Sequence, residues 1–518
     1  MPMRTLYAYR SRMGHTPPPV CVVALCVLGN DGRHMVDVVV IGAGVAGCAV
    51  ARELSRLDLD IVVVERGHDV ACGATRSNSA IVHGGFDPEP GTLKARYNVA
   101  GARMIPQLSR ELGFRYKNNG SLVVALADGD MDRVHELYER GLANGVEGLR
   151  VLDANELRAL EPNVAPEARG ALLCESAGIC DPFGMCIALA ENAVTNGATF
   201  RFNENVEDIT RQDDGTWELQ LKAADKSTPS TLTARTVVNA AGTSACDLHN
   251  LVSAHKLDAR PRLGEYVLLS RERGDTFSHT MFQVPGPLGK GVLVSPTVEG
   301  NLIVGPDALD IDDPLDTSTR RDGLDVVVAS ARRTWPGLSE RDVIVNFAGV
   351  RASGADGDFV IGEPDDAPGF YDIAAFDSPG LTSAVAVAAD LAPSIGSYLN
   401  APARADFIAT REQPPRFIEM SEDERAAAIA RDPRFGHIIC RCELVSEAEV
   451  LAAIHAPIPA TTVDGVKRRC RAGTGMCQGG FCGPTVARLI AIELGIPLSQ
   501  VCISGPGTSM APYARGEE

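Results

Sequence analysis

The residues best suited to chemistry are four cysteines in two close pairs. Cys440 and Cys442 form C-x-C; 34 residues intervene before Cys477 and Cys482 form C-x4-C. Four thiolates can fill a zinc site or hold a [2Fe–2S] cluster. Zinc pairs are usually spaced C-x2–4-C, so the tight C-x-C favours iron–sulfur ligation over a zinc knuckle or unliganded buried thiols. Glycines at 473, 475, 479, 480 and 483 surround the second pair. Lacking side chains, they let backbone N–H groups approach sulfur and offset the negative charge of a cluster. Cys470 lies in the same stretch but is superfluous to a four-ligand set, and reads as a small buried residue. Of 14 cysteines, five lie between Cys440 and Cys482 and the others are scattered. A disulfide framework would not cluster them so, which points to a reducing compartment and a metal or redox site near the C-terminus.

A second set lies near the other end. Gly42, Gly44 and Gly47 form G-x-G-x-x-G directly after the β-branched run of residues 36–41. An Ala- and Leu-patterned helix follows from about Ala46 to Leu57, then a second strand ending at Glu65. In such a βαβ unit Gly42 permits the tight turn, Gly44 admits a pyrophosphate, and Gly47 lets helix and strand pack closely. Glu65, 18 residues past Gly47, can accept hydrogen bonds from ribose hydroxyls. Arg66 beside it does not separate NAD from FAD. No second G-x-G-x-x-G occurs, so one dinucleotide must do the chemistry.

The elements that position these groups can be read coarsely. Strands are expected at SLVVAL, RFNENVEDIT, TARTVVNAAG, EYVLLS, GVLVSP, NLIVGP and YDIAAF, with helices from about Pro182 to Gly197 and after Gly380. Short strands between glycines and prolines over 262–305 suggest an antiparallel sheet. Residues 401–436 are Pro-rich and read as a linker, although Ser421 and Glu424 stand in capping-box spacing and predict a short helix there. The Cys-rich module occupies about 437–500, and 501–518 forms a tail.

Lys and Arg number 49 against 67 Asp and Glu, a net charge of −18, which argues against a nucleic-acid partner or binding to anionic lipid. No apolar run reaches the roughly 18 residues of a membrane span. Residues 1–34 are set aside as an extension: either a transit-like segment, since no acid precedes Asp31, or a start-site artefact with Met35 as the true start. The expected location is the cytoplasm, with peripheral membrane association through a partner as an alternative, or the mitochondrion if residues 1–34 are a transit peptide.

The stretches DVVVIGAGVAG, TRSNSAIVHGG, PGTLKAR, VVNAAG, AGVRASGADGDFVIG and SPGLTSA, in this order, resemble FAD-dependent oxidoreductases of the D-amino-acid oxidase superfamily. Within it the chain is similar to the FAD-dependent glycerol-3-phosphate dehydrogenases and the L-2-hydroxyglutarate dehydrogenase/oxidase group. CRCE and GVKRRCRAGTGMCQGGFCGP resemble the bacterioferritin-associated-ferredoxin-like [2Fe–2S] domain. The resemblance implies an α/β protein. A Rossmann-like FAD-binding domain (about 35–98, 165–255 and 345–400) interleaves with an antiparallel-sheet substrate domain (about 99–164 and 256–344), and a small helical [2Fe–2S] domain follows. It also implies FAD as the dinucleotide, with Thr75, Arg76, Ser77 and Asn78 along the flavin. Val206 would lie near the adenine, Ala241 and Gly242 by the nucleotide, and Gly380, Leu381 and Thr382 near the isoalloxazine.

His83 is then the candidate for flavin contact and for removing a hydroxyl proton, and a flavin-packing histidine is the alternative. Arg351 is the candidate clamp for an anionic substrate, against an ion pair with Asp356 or Asp358. Lys94 and Arg96 would add positive charge, or form a solvated helix face. The implied reaction is oxidation of a small anionic secondary alcohol, with glycerol 3-phosphate going to dihydroxyacetone phosphate. Electrons would pass from flavin to cluster to an acceptor: a quinone, a ferredoxin-like protein or a partner subunit. The alternatives are an L-2-hydroxyglutarate dehydrogenase and a subunit of a heteromeric amino-acid dehydrogenase. One departure stands out: anaerobic glycerol-3-phosphate dehydrogenases carry an arginine-containing stretch after His-x-Gly, and here it reads GGFDPEPG.

Overall fold

Strand β1 (Met35–Ile41) is apolar on both faces beyond Asp37 and pairs in parallel with two neighbours, β2 (Ile61–Glu65) and the strand Ser230–Asn239. Such burial demands cover above and below, which is why both strands are nearly continuous valine and isoleucine. Helix α1 (Val45–Leu54) connects β1 to β2. These strands belong to an eight-stranded sheet that adds Thr199–Phe202 beside β2 and Phe370–Ala374 beside Ser230–Asn239. One face is covered by α1, α2 (Leu93–Leu112), Pro182–Thr195 and α3 (Gly380–Leu399). The computed structural model describes residues 35–224, 229–286 and 291–510; the expectations for residues 1–34 lie outside it.

A nine-stranded sheet, antiparallel but for one pair, forms the second layer system. It runs from Leu309–Asp310 through Arg262–Leu269 and Thr280–Gln283 to Ser121–Ala125, Gly170–Cys174 and Leu149–Asp153. Val343–Arg351 pairs with Arg262–Leu269. The expected boundaries therefore shift in three places. Gly170–Cys174 and most of Val343–Arg351 fall in the expected FAD-binding part but hydrogen-bond into this sheet. The boundary at 98/99 cuts through α2, which packs on α3 so closely that a Cβ at Gly101 would lie 2.0 Å from Thr382 O. Single strands of small apolar residues carry no mark of which sheet they join; pairing decides it. The expected RFNENVEDIT strand is broken at Asn203, which takes φ +60 between Thr199–Phe202 and Glu204–Arg211.

The Cys-rich module has its own core. A short hairpin (Ile438–Cys440 and Val445–Ser446) and the helices Glu447–Ile454, α4 (Val463–Cys470) and α5 (Gly483–Leu494) gather Val450, Ile454, Val466, Val486 and Ile490.

Residues 401–411 of the expected linker are tied down. Asn192 and Asn196 donate side-chain amides to Ile408 O and Asn192 also to Thr410 O, while Arg411 Nε reaches Glu191 Oε2 at 2.6 Å. Further on, the capping box of Ser421 and Glu424 starts a helix, Glu422–Arg431.

Candidate functional site

The glycine turn behaves as its spacing requires. Gly42 has φ +100, and a Cβ there would stand 2.5 Å from Ala240 O; one at Gly47 would stand 1.9 Å from Gly42 O. Gly44 caps α1 without a side-chain bond, so the helix N-terminus is not closed by a side chain of its own cap. Glu65 braces the turn: its carboxylate accepts from Ala43 N at 2.7 Å and Gly67 N at 2.6 Å. Burial pushes its pKa up, against the pull of those two N–H groups. Arg66 reaches across to Ser244 Oγ at 3.2 Å, joining the end of β2 to the turn after Asn239. In that turn Gly242 has φ +60 and open space where a Cβ would be, and Ala241 is half-buried. These glycine cradles and the Glu65 carboxylate are the donor, acceptor and space set that an adenine dinucleotide needs.

The loop from Thr75 to Asn78 is wired to the same turn. Thr75 Oγ1 accepts from Val45 N at 3.0 Å. Asn78 donates to Thr75 O and accepts from Ala80 N, both at 2.6 Å. Ser77 O lies where a Cβ on Gly349 would come within 2.2 Å, so the loop presses on the second sheet. Arg76 is half-buried beside it. Val206 sits on a bulged strand with its side chain buried in a core cluster.

His83 is held from three sides. Its N–H donates to Thr382 Oγ1 at 3.0 Å, its carbonyl accepts from Asn98 Nδ2 at 2.5 Å, and its ring stacks on Phe282, centroids 5.8 Å apart. Phe282 belongs to the nine-stranded sheet and Thr382 to α3, so the histidine lies where the two sheet systems meet. Gly380 and Thr382 are buried at the start of α3, and Leu381 is half-buried. Thr382 and Asn98 had no sequence signal as the residues that hold His83, because they come from distant helices.

Arg351 makes neither expected ion pair. Its Nη1 donates to Leu263 O at 3.1 Å and its Nη2 to Asp307 O at 3.0 Å. Asp358 instead accepts from Leu93 N and Lys94 N at the start of α2. Lys94 pairs with Asp377 at 2.6 Å, so it is not a solvated face residue, whereas Arg96 pairs with Asp390 at the surface. The guanidinium of Arg351 is thus fixed by neutral carbonyls and keeps its charge uncompensated by a bonded carboxylate, which suits an anion clamp.

The four thiols of the Cys-rich module approach two by two: Cys440 hydrogen-bonds with Cys482, and Cys442 with Cys477. Among the described residues no three His, Cys, Asp or Glu side chains gather as for a single ion. Backbone N–H groups point at sulfur as the glycines suggested: Gly473 to Cys440, Gly479 and Phe481 to Cys477. The bond from Cys482, aided by Gly473 against burial, draws Cys440 down to about 6. A Cβ at Gly475 would fall 2.3 Å from Cys442 Cβ. Two thiol pairs ringed by N–H donors fit a two-iron cluster. Cys470 is pushed up to about 12 by burial and donates to Val466 O, as a bystander would. Cys440 and Cys482 are buried, Cys477 is half-buried and Cys442 is exposed.

What sequence reasoning missed is how this module is fastened. Arg469, on α4, grips Asp69 with two bonds of 2.7 and 2.9 Å, both side chains nearly fully buried. Arg468 Nη1 reaches Val70 O at 3.3 Å. On another side Glu299 receives Arg115, Arg416 and Arg471, and Glu443 receives Arg271 and Arg471. Burial works to raise Glu299, but Arg471, Arg416 and Arg115 outweigh it and hold the carboxyl at about 2.

Residues 37–393 match the family model described as FAD dependent oxidoreductase, and residues 438–492 match the BFD-like [2Fe–2S] binding domain. The chain belongs to the FAD dependent oxidoreductase family and carries a C-terminal [2Fe–2S] domain; FAD and a [2Fe–2S] cluster are its cofactors. Among its relatives, a glycerol 3-phosphate dehydrogenase from Caloramator mitchellensis is 43% identical over 470 residues, 90% of this chain and 96% of that protein. The mitochondrial L-2-hydroxyglutarate dehydrogenase of Arabidopsis thaliana is 28% identical, covering 70% of this chain and 83% of its own. The solved structure of dithionite-reduced, FAD-bound L-α-glycerophosphate oxidase from Mycoplasma pneumoniae superposes with a TM-score of 0.69 at 31% identity, covering 74% of this chain and all of that one. Among the described residues no helix is long and apolar enough to cross a membrane.

Proposed function

We propose that this chain is a dehydrogenase that oxidises glycerol 3-phosphate to dihydroxyacetone phosphate and delivers the electrons to a one-electron acceptor. The observation that carries the reading is the 43% identity to a glycerol 3-phosphate dehydrogenase across 90% of the chain, a span that takes in flavin and cluster regions together. The Mycoplasma pneumoniae oxidase is wholly covered by 74% of this chain, so the remainder is what this chain has beyond that oxidase. A module for single electrons is the expected addition in an enzyme that passes them on instead of reducing oxygen.

The chain's own residues divide the work. Arg351, fixed on the carbonyls of Leu263 and Asp307, holds the substrate anion. The His83 imidazole takes the hydroxyl proton as the carbinol hydrogen leaves as hydride; Thr382, Asn98 and Phe282 keep the ring in place. Gly42, Gly44, Gly47, Glu65, Arg66, Ala241 and Gly242 hold the dinucleotide, and Thr75–Asn78 and Gly380–Thr382 border its ring. Cys440, Cys442, Cys477 and Cys482 hold the cluster. When bound, FAD supplies the hydride acceptor and the cluster a carrier of single electrons.

Dye-linked initial rates test this. Glycerol 3-phosphate is expected to turn over with R351K raising KM far more than it lowers kcat, and H83Q lowering kcat by roughly two orders of magnitude. Turnover of L-2-hydroxyglutarate in its place would overturn the substrate assignment.

A further inference from the structure

The cluster module turns two different sides to its surroundings. Its buried thiols, Cys440 and Cys482, lie within its core, while Cys442 is exposed and Cys477 half-buried. Three exposed residues are next in sequence to a thiol. Arg441 precedes Cys442, Met476 precedes Cys477, and Phe481 precedes Cys482. Their exposure is unusual for their type: Phe481 is 88% and Met476 65% accessible. Side chains as exposed as these project from the surface, and small molecules are held by concavities. Aromatic, Met and Arg side chains are the ones enriched where proteins meet.

Charge selects the partner. The chain as a whole carries −18, yet this rim is cationic. Arg441 and Arg488 are exposed, and among the described residues neither has a carboxylate within ion-pair distance. Arg488 lies on α5 four residues after the exposed Pro484, one turn from the helix start that follows Phe481 and Cys482. Glu443, the carboxylate nearest in sequence to the rim, is turned inward and taken by Arg271 and Arg471.

We propose that Arg441, Met476, Phe481 and Arg488, around the solvent-facing thiols Cys442 and Cys477, form the docking surface for a small acidic one-electron carrier protein. The apolar pair supplies a compact desolvated contact, and the two guanidiniums orient an anionic face against it. The surface rests on the dehydrogenase reading above only in requiring an acceptor of single electrons.

The test uses the anaerobically purified holoprotein and an acidic plant-type [2Fe–2S] ferredoxin as probe, with cationic cytochrome c as the charge-reversed control. Binding is measured by titration calorimetry between about 0.05 and 0.5 M salt. The ferredoxin is expected to bind and to weaken as salt rises. F481S is expected to lower its affinity about tenfold or more, and R441E to lower it at low salt and flatten the salt dependence. R333E, a charge reversal on the helix Arg321–Thr334, should leave it unchanged. Visible circular dichroism checks that each variant keeps its cluster, and M476S stands in if F481S does not assemble one.

Wild-type affinity in both F481S and R441E, or tighter binding of cytochrome c than of ferredoxin, overturns the proposal. So does self-association of the wild type that F481S abolishes, since the occupant is then a second copy of this chain. Flavin bleaching by glycerol 3-phosphate is scored on the same samples. Bleaching with unaltered binding in the variants sinks the docking surface alone; loss of bleaching with the expected binding pattern sinks the substrate assignment alone.

Discussion

The inner and outer faces of the cluster module are built on opposite rules. The inner face is charged and buried: Asp69 with Arg469, and Glu299 and Glu443 among Arg115, Arg271, Arg416 and Arg471. The outer face is apolar and exposed, at Met476 and Phe481. Buried charge pairs add little net stability relative to a well-packed apolar contact, but breaking one by removing a partner is costly. They therefore suit a contact that forms once and in one register. An exposed apolar protrusion suits a contact that is made and released.

Substitutions on the two faces should differ in the size of their effects. The largest effect is expected from Cys442→Ser, which removes a thiol of the outward pair. It should erase the iron–sulfur absorption entirely and leave the flavin bands, whereas Cys470→Ser should keep both, as read by anaerobic visible spectra. Next comes the inner face. Glu299→Gln leaves Arg115, Arg271, Arg416 and Arg471 facing a neutral amide and should cost about 3–5 kcal/mol in denaturant unfolding, with new proteolytic cleavage between residues 412 and 436. Asp69→Asn, which strands Arg469, should behave alike.

Acid should act on the same face. The Glu299 carboxyl is depressed from 4.5 to about 2, so its contribution is full above about pH 4.5 and is lost as pH falls towards 2. Loss of protection of the module in hydrogen exchange across that window, flattened in Glu299→Gln, is the expected result. The smallest effect belongs to the outer face: Phe481→Ser should change stability by no more than about 0.5 kcal/mol. A large loss there would mean that the protrusion is structural and would remove the contrast.

Local chemistry was legible in the sequence, and distant pairing was not. The turn at Gly42, Gly44 and Gly47 and the four thiols could be read because each needs particular residue types at short, fixed spacing. The fastening of the module could not, since Arg271 meets Glu443 172 residues away and each of these arginines looks like a solvated one. Residues 401–411 read as linker by composition, but Asn192 and Asn196 satisfy their backbone from a helix two hundred residues earlier. Met476 and Phe481 carry no signal among the glycines, because exposure is a property of the folded loop. The domain boundaries failed at Gly170–Cys174 and Val343–Arg351, where strand order across a sheet decides membership.

The central claim is that substrate electrons enter at the flavin and reach the cluster in one chain. An anaerobic titration of the holoprotein, followed in the visible, tests it most directly. Glycerol 3-phosphate should bleach the flavin bands and then the broader iron–sulfur absorption, with L-2-hydroxyglutarate leaving both unchanged. Flavin bleaching with an iron–sulfur band that stays oxidised, or bleaching by L-2-hydroxyglutarate alone, would contradict the account.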